Sequence, residues 1–193
     1  MDHKDIRTLK LLEEIEENHV QSQRELAKKL DISLGLVNSF IKRLAHKGFF
    51  KIATIPKNRV KYILTPEGAV EKTRLAYKYI QHSYKFYKDA RHKFRKLFQK
   101  LEAEGVSKIV FCGASDFAEI AYISLQETSI EMVAVVDMIK AGEQFLGYSV
   151  LDPVYLNSLS FDRILITAIE SRKIILDDII EKGVPDSKIV TIE

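Results

Sequence analysis

Four side chains, Asn38, Ser39, Lys42 and Arg43, recur at steps that gather them on one side of a helix. Their chemistry suits a nucleic-acid surface. Two cations can neutralise phosphates, and an amide and a hydroxyl can hydrogen-bond to phosphate oxygens or base edges. A second set lies further along the chain. Gly113, Ser115 and Ala118 occupy the three positions of the phosphate-binding spacing G-x-G-x-x-G/A, and Asp137 follows 24 residues after Gly113. That spacing offers a phosphate a helix N-terminus and a ribose a carboxylate acceptor. Two residues depart from it. Ser115 replaces the glycine that lets backbone approach a pyrophosphate, and Asp116 puts a carboxylate in the first helical turn, where it occupies the helix dipole itself and repels phosphate. The turn therefore reads either as a nucleotide site or as a scaffold whose site is altered. Ala114, Phe117, Thr167, Ala168 and Arg172, with Tyr148, are the other residues placed to line it.

The elements that must position the first set are legible locally. Ser22-Gln23-Arg24-Glu25 is a capping box that opens a short helix, Gln23–Leu30, with Leu26, Ala27 and Leu30 on one face. Asp31-Ile32-Ser33 makes a turn, and Ser33 caps the next helix, Leu34 to Lys47. That helix turns Leu36, Val37, Phe40, Ile41 and Leu44 inward, and Gly48 closes it. Phe49–Thr54 and Val60–Leu64 are β-rich runs joined by Ile55-Pro56-Lys57-Asn58-Arg59, a hairpin with a basic tip. The order predicts a winged helix-turn-helix. The competing reading is a plain helical domain with a solvated charged face.

Thr65-Pro66-Glu67 starts another helix, and no breaker follows from Ala69 until Gly105. Val70, Thr73, Tyr77, Ile80, Tyr84, Tyr87, Arg91, Phe94, Phe98 and Leu101 fall at alternating three- and four-residue steps, a heptad seam. Such a seam needs a cover. The candidates are the same helix of a second chain, which makes a homodimer through residues 68–104, or the rest of this chain. A break near Gln81–Ser83 is compatible with the same pattern.

After Gly105 the periodicity changes to alternating strands and helices: strands at Lys108–Cys112, Glu131–Val136, Arg163–Thr167 and Lys188–Ile192, with helices from the glycine turn to about Gln126, a short one at Asp152-Pro153, and Ser171–Lys182. This predicts a parallel sheet in a Rossmann-like half-domain. The expected class is thus an α+β winged helix-turn-helix, a long connecting helix, and an α/β Rossmann-like domain, with boundaries at 1–67, 68–104 and 105–193.

Charge follows the same division. The chain has 193 residues and net charge +3. Residues 1–67 are net +4, residues 68–104 net +6 and residues 105–193 net −7. The basic part coincides with the helix-turn-helix and the segment after it, which fits attraction to phosphate. The single Cys112 excludes an internal disulfide and a cysteine-based zinc site. The five histidines show no metal-ligand spacing, and no metal is expected. The segment Met1-Asp2-His3-Lys4-Asp5 lacks the apolar core of a signal peptide, and a cytoplasmic chain is expected.

Two resemblances add to this reading. Gln23-Arg24-Glu25-Leu26-Ala27, Ser33-Leu34-Gly35-Leu36-Val37-Asn38, Lys47-Gly48 and Leu64-Thr65-Pro66-Glu67-Gly68 resemble the MarR-type winged-helix regulators, nearest the branch associated with exopolysaccharide gene clusters. The resemblance implies a transcriptional regulator of double-stranded DNA. It places residues of Ser33–Lys47 in the major groove, with Ser33, Leu34, Gly35, Asn38, Ser39, Lys42 and Arg43 as the candidates, and Lys57, Asn58, Arg59 and Lys61 in the wing; Gln23 is a further candidate DNA contact. Gly113-Ala114-Ser115, Val135-Val136-Asp137, Gly147-Tyr148-Ser149-Val150-Leu151 and Ile166-Thr167-Ala168-Ile169 resemble the Rossmann-like N-terminal domains of polysaccharide-biosynthesis sugar acyltransferases and nucleotide-sugar dehydratases. That likeness implies a nucleotide or nucleotide-sugar at Gly113, Ala114, Ser115, Asp116, Phe117, Asp137, Thr167, Ala168 and Arg172. The domain order is also similar to redox-sensing repressors of the Rex type, which adds NAD(H) as a candidate. Whether a small effector binds here, or the domain docks a protein, stays open at this level.

An enzyme is the remaining class. Tyr84 and Lys88 carry the Tyr-x-x-x-Lys spacing of short-chain dehydrogenases, but they precede the glycine turn, whereas in those enzymes the pair follows it. The 89 residues after position 104 leave no room for a substrate domain. No catalytic residue is assigned.

Overall fold

The computed structural model describes residues 1–18, 22–55, 59–168 and 172–192. The chain divides into two compact units, Met1–Lys85 and Phe86–Glu193.

The first unit holds α1 (His3–Glu17), α2 (Gln23–Lys29), α3 (Leu34–His46), β1 (Phe50–Ile55), β2 (Arg59–Leu64) and the beginning of α4 (Pro66–Ala103). Local chemistry explains most boundaries. The Asp2 carboxylate accepts from the Asp5 amide at 2.7 Å and starts α1. The capping box opens α2: the Ser22 amide donates to Glu25 at 2.6 Å, and the Glu25 amide donates to Ser22 Oγ at 3.2 Å. Ser33 Oγ accepts from the Leu36 amide at 3.3 Å and starts α3. At its end the Phe49 and Gly48 amides donate to the Leu44 and Ala45 carbonyls, a Schellman closure that needs the positive φ of Gly48 (75°).

One core unites these elements. Leu11, Leu12 and Ile15 of α1, Leu26 of α2, and Val37, Phe40, Ile41 and Leu44 of α3 surround Phe50, Tyr62 and Leu75. Phe50 and Tyr62 meet edge to face, 5.7 Å between ring centres. Ala27, Leu30 and Leu36 are half-buried, less enclosed than their helix periodicity predicts. β1 and β2 pair antiparallel from Phe50↔Leu64 to Ile55↔Arg59.

Thr65 fastens the hairpin to α4. Its amide donates to the Phe49 carbonyl, its hydroxyl donates to the Gly48 carbonyl at 2.6 Å, and the same Thr65 Oγ1 accepts from the Gly68 amide at 3.0 Å. α4 then runs unbroken for 38 residues, about 57 Å at the usual rise per residue. Gln81–Ser83 is helical like its neighbours. The expected seam does not stay on one free surface. Val70, Tyr77, Ile80 and Tyr84 are exposed at 71, 63, 61 and 61%, whereas Phe94, Phe98 and Leu101 are buried in the core of the second unit. The lower part of the seam already has an intramolecular cover.

The second unit comprises the end of α4, β3 (Lys108–Cys112), α5 (Asp116–Leu125), β4 (Glu131–Val136), β5 (Gln144–Phe145), β6 (Tyr148–Ser149), a 3₁₀ turn at Pro153–Ser158, β7 (Arg163–Ile166), α6 (Arg172–Glu181) and β8 (Ile189–Val190). The sheet order is β4-β3-β7-β8, all parallel. Alternation along β3 feeds two cores. Ile109 and Phe111 face Phe94, Phe98, Leu101 and the α5 side, while Val110 and Cys112 face Ile179 of α6 and Leu156. Helices therefore cover both faces, as a parallel sheet requires. This is the α/β Rossmann-like architecture the alternation predicts. The small β5–β6 hairpin is too short to leave a periodic signal.

Candidate functional site

Each unit carries one candidate site. In the first, α3 turns its apolar stripe into the core and leaves the opposite side open. Leu34, Gly35, Ser39 and Lys42 are exposed; Asn38 and Arg43 are half-buried. Arg43 is held by its neighbour one turn earlier: its guanidinium carbon lies 4.2 Å from the centre of the Phe40 ring. Ser33 is committed to the helix cap. Gln23 sits half-buried beside Tyr62, whose phenol is pushed up by burial, with Gln23 acting in the opposite direction. The structure thus gathers Leu34, Gly35, Asn38, Ser39, Lys42 and Arg43 on one accessible helix, with Ser33 at its start. Lys61 lies on β2, opposite Ala53. Lys57 and Asn58 fall outside the described residues, and of Arg59 only the backbone is described.

The second site is the crevice where the strand order reverses, at the carboxyl ends of β3 and β7. The structure brings Gly113, Ala114 and Ser115 together with Thr167 and Ala168 here. The contacts are mutual. Ser115 Oγ donates to the Thr167 carbonyl at 3.0 Å while accepting from the Ala118 amide at 3.3 Å. Thr167 Oγ1 lies 2.9 Å from the Cys112 carbonyl and 2.6 Å from that of Gly113. A Cβ on Gly113, whose φ is 112°, would come within 2.8 Å of Ala168 Cβ. Asp137 reaches back across the turn: one oxygen accepts from the Ala114 amide at 2.9 Å, the other from the amides of Ile139 and Lys140. Lys140 Nζ donates to the Ala114 carbonyl at 2.6 Å. The Ala114 amide and the Asp137 carboxylate, expected to meet phosphate and ribose, therefore have partners within the protein. Beneath them, burial pushes the Cys112 thiol up to about 12, with the Asp137 charge adding to the effect. It is a thiol at neutral pH and belongs to the core.

Beside this crevice lies a cavity of about 280 Å³ lined by Phe86, Phe117, Ile166, Thr167, Ala168, Arg172, Thr191 and Ile192. It unites four expected residues, Phe117, Thr167, Ala168 and Arg172. Sequence reasoning missed Phe86, Ile166, Thr191 and Ile192 as its walls. Phe86 stands off the α4 heptad seam, and no local pattern announces that it meets Phe117. Asp116 and Asp137 are not among the lining residues. Arg172 opens α6, whose first turn carries no acid, so its charge adds to the positive end of the helix. Tyr84 and Lys88 line neither this cavity nor the larger groove between α4 and β8. Among the described residues no cluster of His, Cys, Asp or Glu is arranged to hold a metal. No helix there is long and apolar enough to cross a membrane.

One family match falls in each unit. Residues 4–51 match the model of the winged helix-turn-helix DNA-binding family. Residues 105–190 match a family described as C2185-like, N-terminal. No curated protein matches significantly. Among solved structures, the PcaV transcriptional regulator from Streptomyces coelicolor is 19% identical, with 52% of this chain and 79% of that one covered and a TM-score of 0.40. The same regulator with its natural ligand gives 17%, 53%, 75% and 0.39. PigF with SAH gives 13%, 97%, 72% and 0.36. The chain carries an N-terminal winged helix-turn-helix DNA-binding domain, and its residues 105–190 are similar to the C2185-like N-terminal family.

Proposed function

We propose that the protein is a dimeric transcriptional regulator whose C-terminal domain senses a small molecule. The observation that carries the DNA-binding part is α3: a capped helix with an apolar stripe in the core and Asn38, Ser39, Lys42 and Arg43 on its accessible side. A helix of this kind suits the major groove, with the β1–β2 hairpin as the wing. The sensing part is supported by the cavity beside the strand-order reversal, where open α/β sheets take their ligands. A dinucleotide or nucleotide-sugar in the glycine turn is disfavoured, because Asp137, Ser115 and Ala168 already occupy that turn. A role in polysaccharide-synthesis genes rests on the sequence resemblance alone.

DNA binding is tested by fluorescence anisotropy with a duplex selected from genomic fragments, across a salt series. Affinity should fall steeply with salt. Lys42→Ala with Arg43→Ala should weaken binding and lower the slope of log K against log salt by about 2, one for each phosphate no longer neutralised. An unchanged affinity and slope would remove α3 from the interface.

A further inference from the structure

We infer that the cavity walled by Phe86, Phe117 and Arg172 binds a small flat monoanion, a single unsaturated or aromatic ring bearing a carboxylate. The inference rests on the sensor reading above and names its ligand class. Three features of the walls choose that class.

The first is aromatic surface. The Phe86 and Phe117 ring centres are 6.4 Å apart at 33°, and Phe117 is fixed from behind by Phe94 at 4.8 Å. Phe86 is 54% exposed, so part of its ring is open to a ligand. The gap is too narrow to sandwich a third ring, which needs roughly two stacking distances. Both rings line the cavity, so a ligand ring can pack against their apolar surface, and burying that surface is favourable.

The second feature is charge. Arg172 is the one charged residue among the described residues lining the cavity. Its guanidinium is planar and matches a carboxylate with two parallel hydrogen bonds. Residues 105–193, Arg172 included, are net −7, which disfavours a ligand with several negative charges. One negative charge is what the single Arg172 guanidinium can pair.

The third feature is size. At about 280 Å³ the cavity lies at the lower edge of the range for small-molecule sites. One ring and a short acid fit; a dinucleotide does not. Ile166, Ala168 and Ile192 supply apolar walls, and Thr191 a hydroxyl. The Thr167 hydroxyl already contacts the Cys112 and Gly113 carbonyls and serves as floor. A ligand here touches α4 through Phe86, and α4 is the segment that continues into the DNA-binding unit.

The test uses the full chain and titration calorimetry with phenylacetate, its neutral isostere phenylacetamide, NAD⁺ and UDP-glucose. Phenylacetate should bind saturably at one site per chain, and phenylacetamide at least tenfold more weakly. Arg172→Met keeps the apolar stem, sits at an exposed position and should lose at least tenfold for phenylacetate alone. Phe117→Leu should weaken both ring compounds. Equal binding of phenylacetate by wild type and Arg172→Met overturns the assignment. A saturable response to NAD⁺ or UDP-glucose but not phenylacetate also overturns it, while leaving the sensor reading standing. Silence from all four overturns both.

Discussion

Glu127 shows how one residue can join two elements without being buried. Its carboxylate accepts from Arg95 at 2.6 Å and 2.9 Å and from Arg91 at 2.5 Å, tying the end of α5 to α4. The Arg95 hydrogen bonds, then that of Arg91, hold its pKa at about 2 against an ordinary 4.5. A lowered folded pKa means stability that is present above 4.5 and lost as pH falls toward 2. Glu127→Gln should therefore be less stable than wild type at pH 7. The gap should close between pH 4.5 and 2 and be absent below 2, as read by urea unfolding at each pH. The effect should be modest, because the group is open to solvent. A gap unchanged at pH 2 would assign the loss to something other than the ion pairs. Gly113 makes a different kind of residue-level point. The sequence suggests a glycine kept for phosphate, whereas the structure shows a glycine kept because Ala168 packs against it.

At the scale of elements, α4 is decided at its first turn and at its last. Gly68 lies in the first turn against the hairpin, where a Cβ would come within 1.8 Å of the Phe49 carbonyl oxygen. Helix propensity alone favours alanine there by about 1 kcal/mol. The close approach reverses the sign, because the obstacle is backbone and cannot rotate away. Gly68→Ala should destabilise the first unit by about 1–3 kcal/mol, the usual range for overpacking, measured by chemical denaturation. A stabilised variant would show that the hairpin and α4 do not meet in this way. At the other end, Phe94 and Phe98 stack at 6.0 Å, and Phe98 lies parallel to Phe111 of β3 at 6.4 Å, so the last turns of α4 are part of the second core.

For the whole molecule, we propose that the upper part of α4 sets the assembly. Val70, Tyr77 and Ile80 follow seven- and three-residue steps and are all more than 60% exposed. An apolar stripe at heptad spacing is favourable only when covered, and a second copy of the same helix presents a matching stripe. We expect Ile80→Glu to convert a dimer to a monomer in sedimentation equilibrium. DNA affinity should fall with it, because a two-fold site then meets one recognition helix at a time. A wild-type monomer at tens of micromolar would rule out this pairing. The charge division has its reason at this scale too: the two basic segments hold the helix-turn-helix and α4, and the acidic one is the sheet domain.

The sequence by itself determined what short-range chemistry determines. Ser22 with Glu25, Ser33, Gly48 and Thr65 mark helix ends because each satisfies backbone groups within a few residues. The strand–helix alternation after Gly105 specifies a parallel sheet because the crossover helices must cover both faces. The tertiary structure alone decided the rest, because distant residues compete for the same groups. Asp137 is spaced as a ribose acceptor, yet the fold brings it to the Ala114, Ile139 and Lys140 amides, and it binds them. One heptad seam runs from Val70 to Leu101, yet the sheet claims its final turns and leaves the earlier ones exposed. Phe86 and Phe117 are 31 positions apart on different helices, and only packing of α4 beside α5 makes them two walls of one cavity. Periodicity records which face of an element is apolar; it carries no information on which partner covers that face.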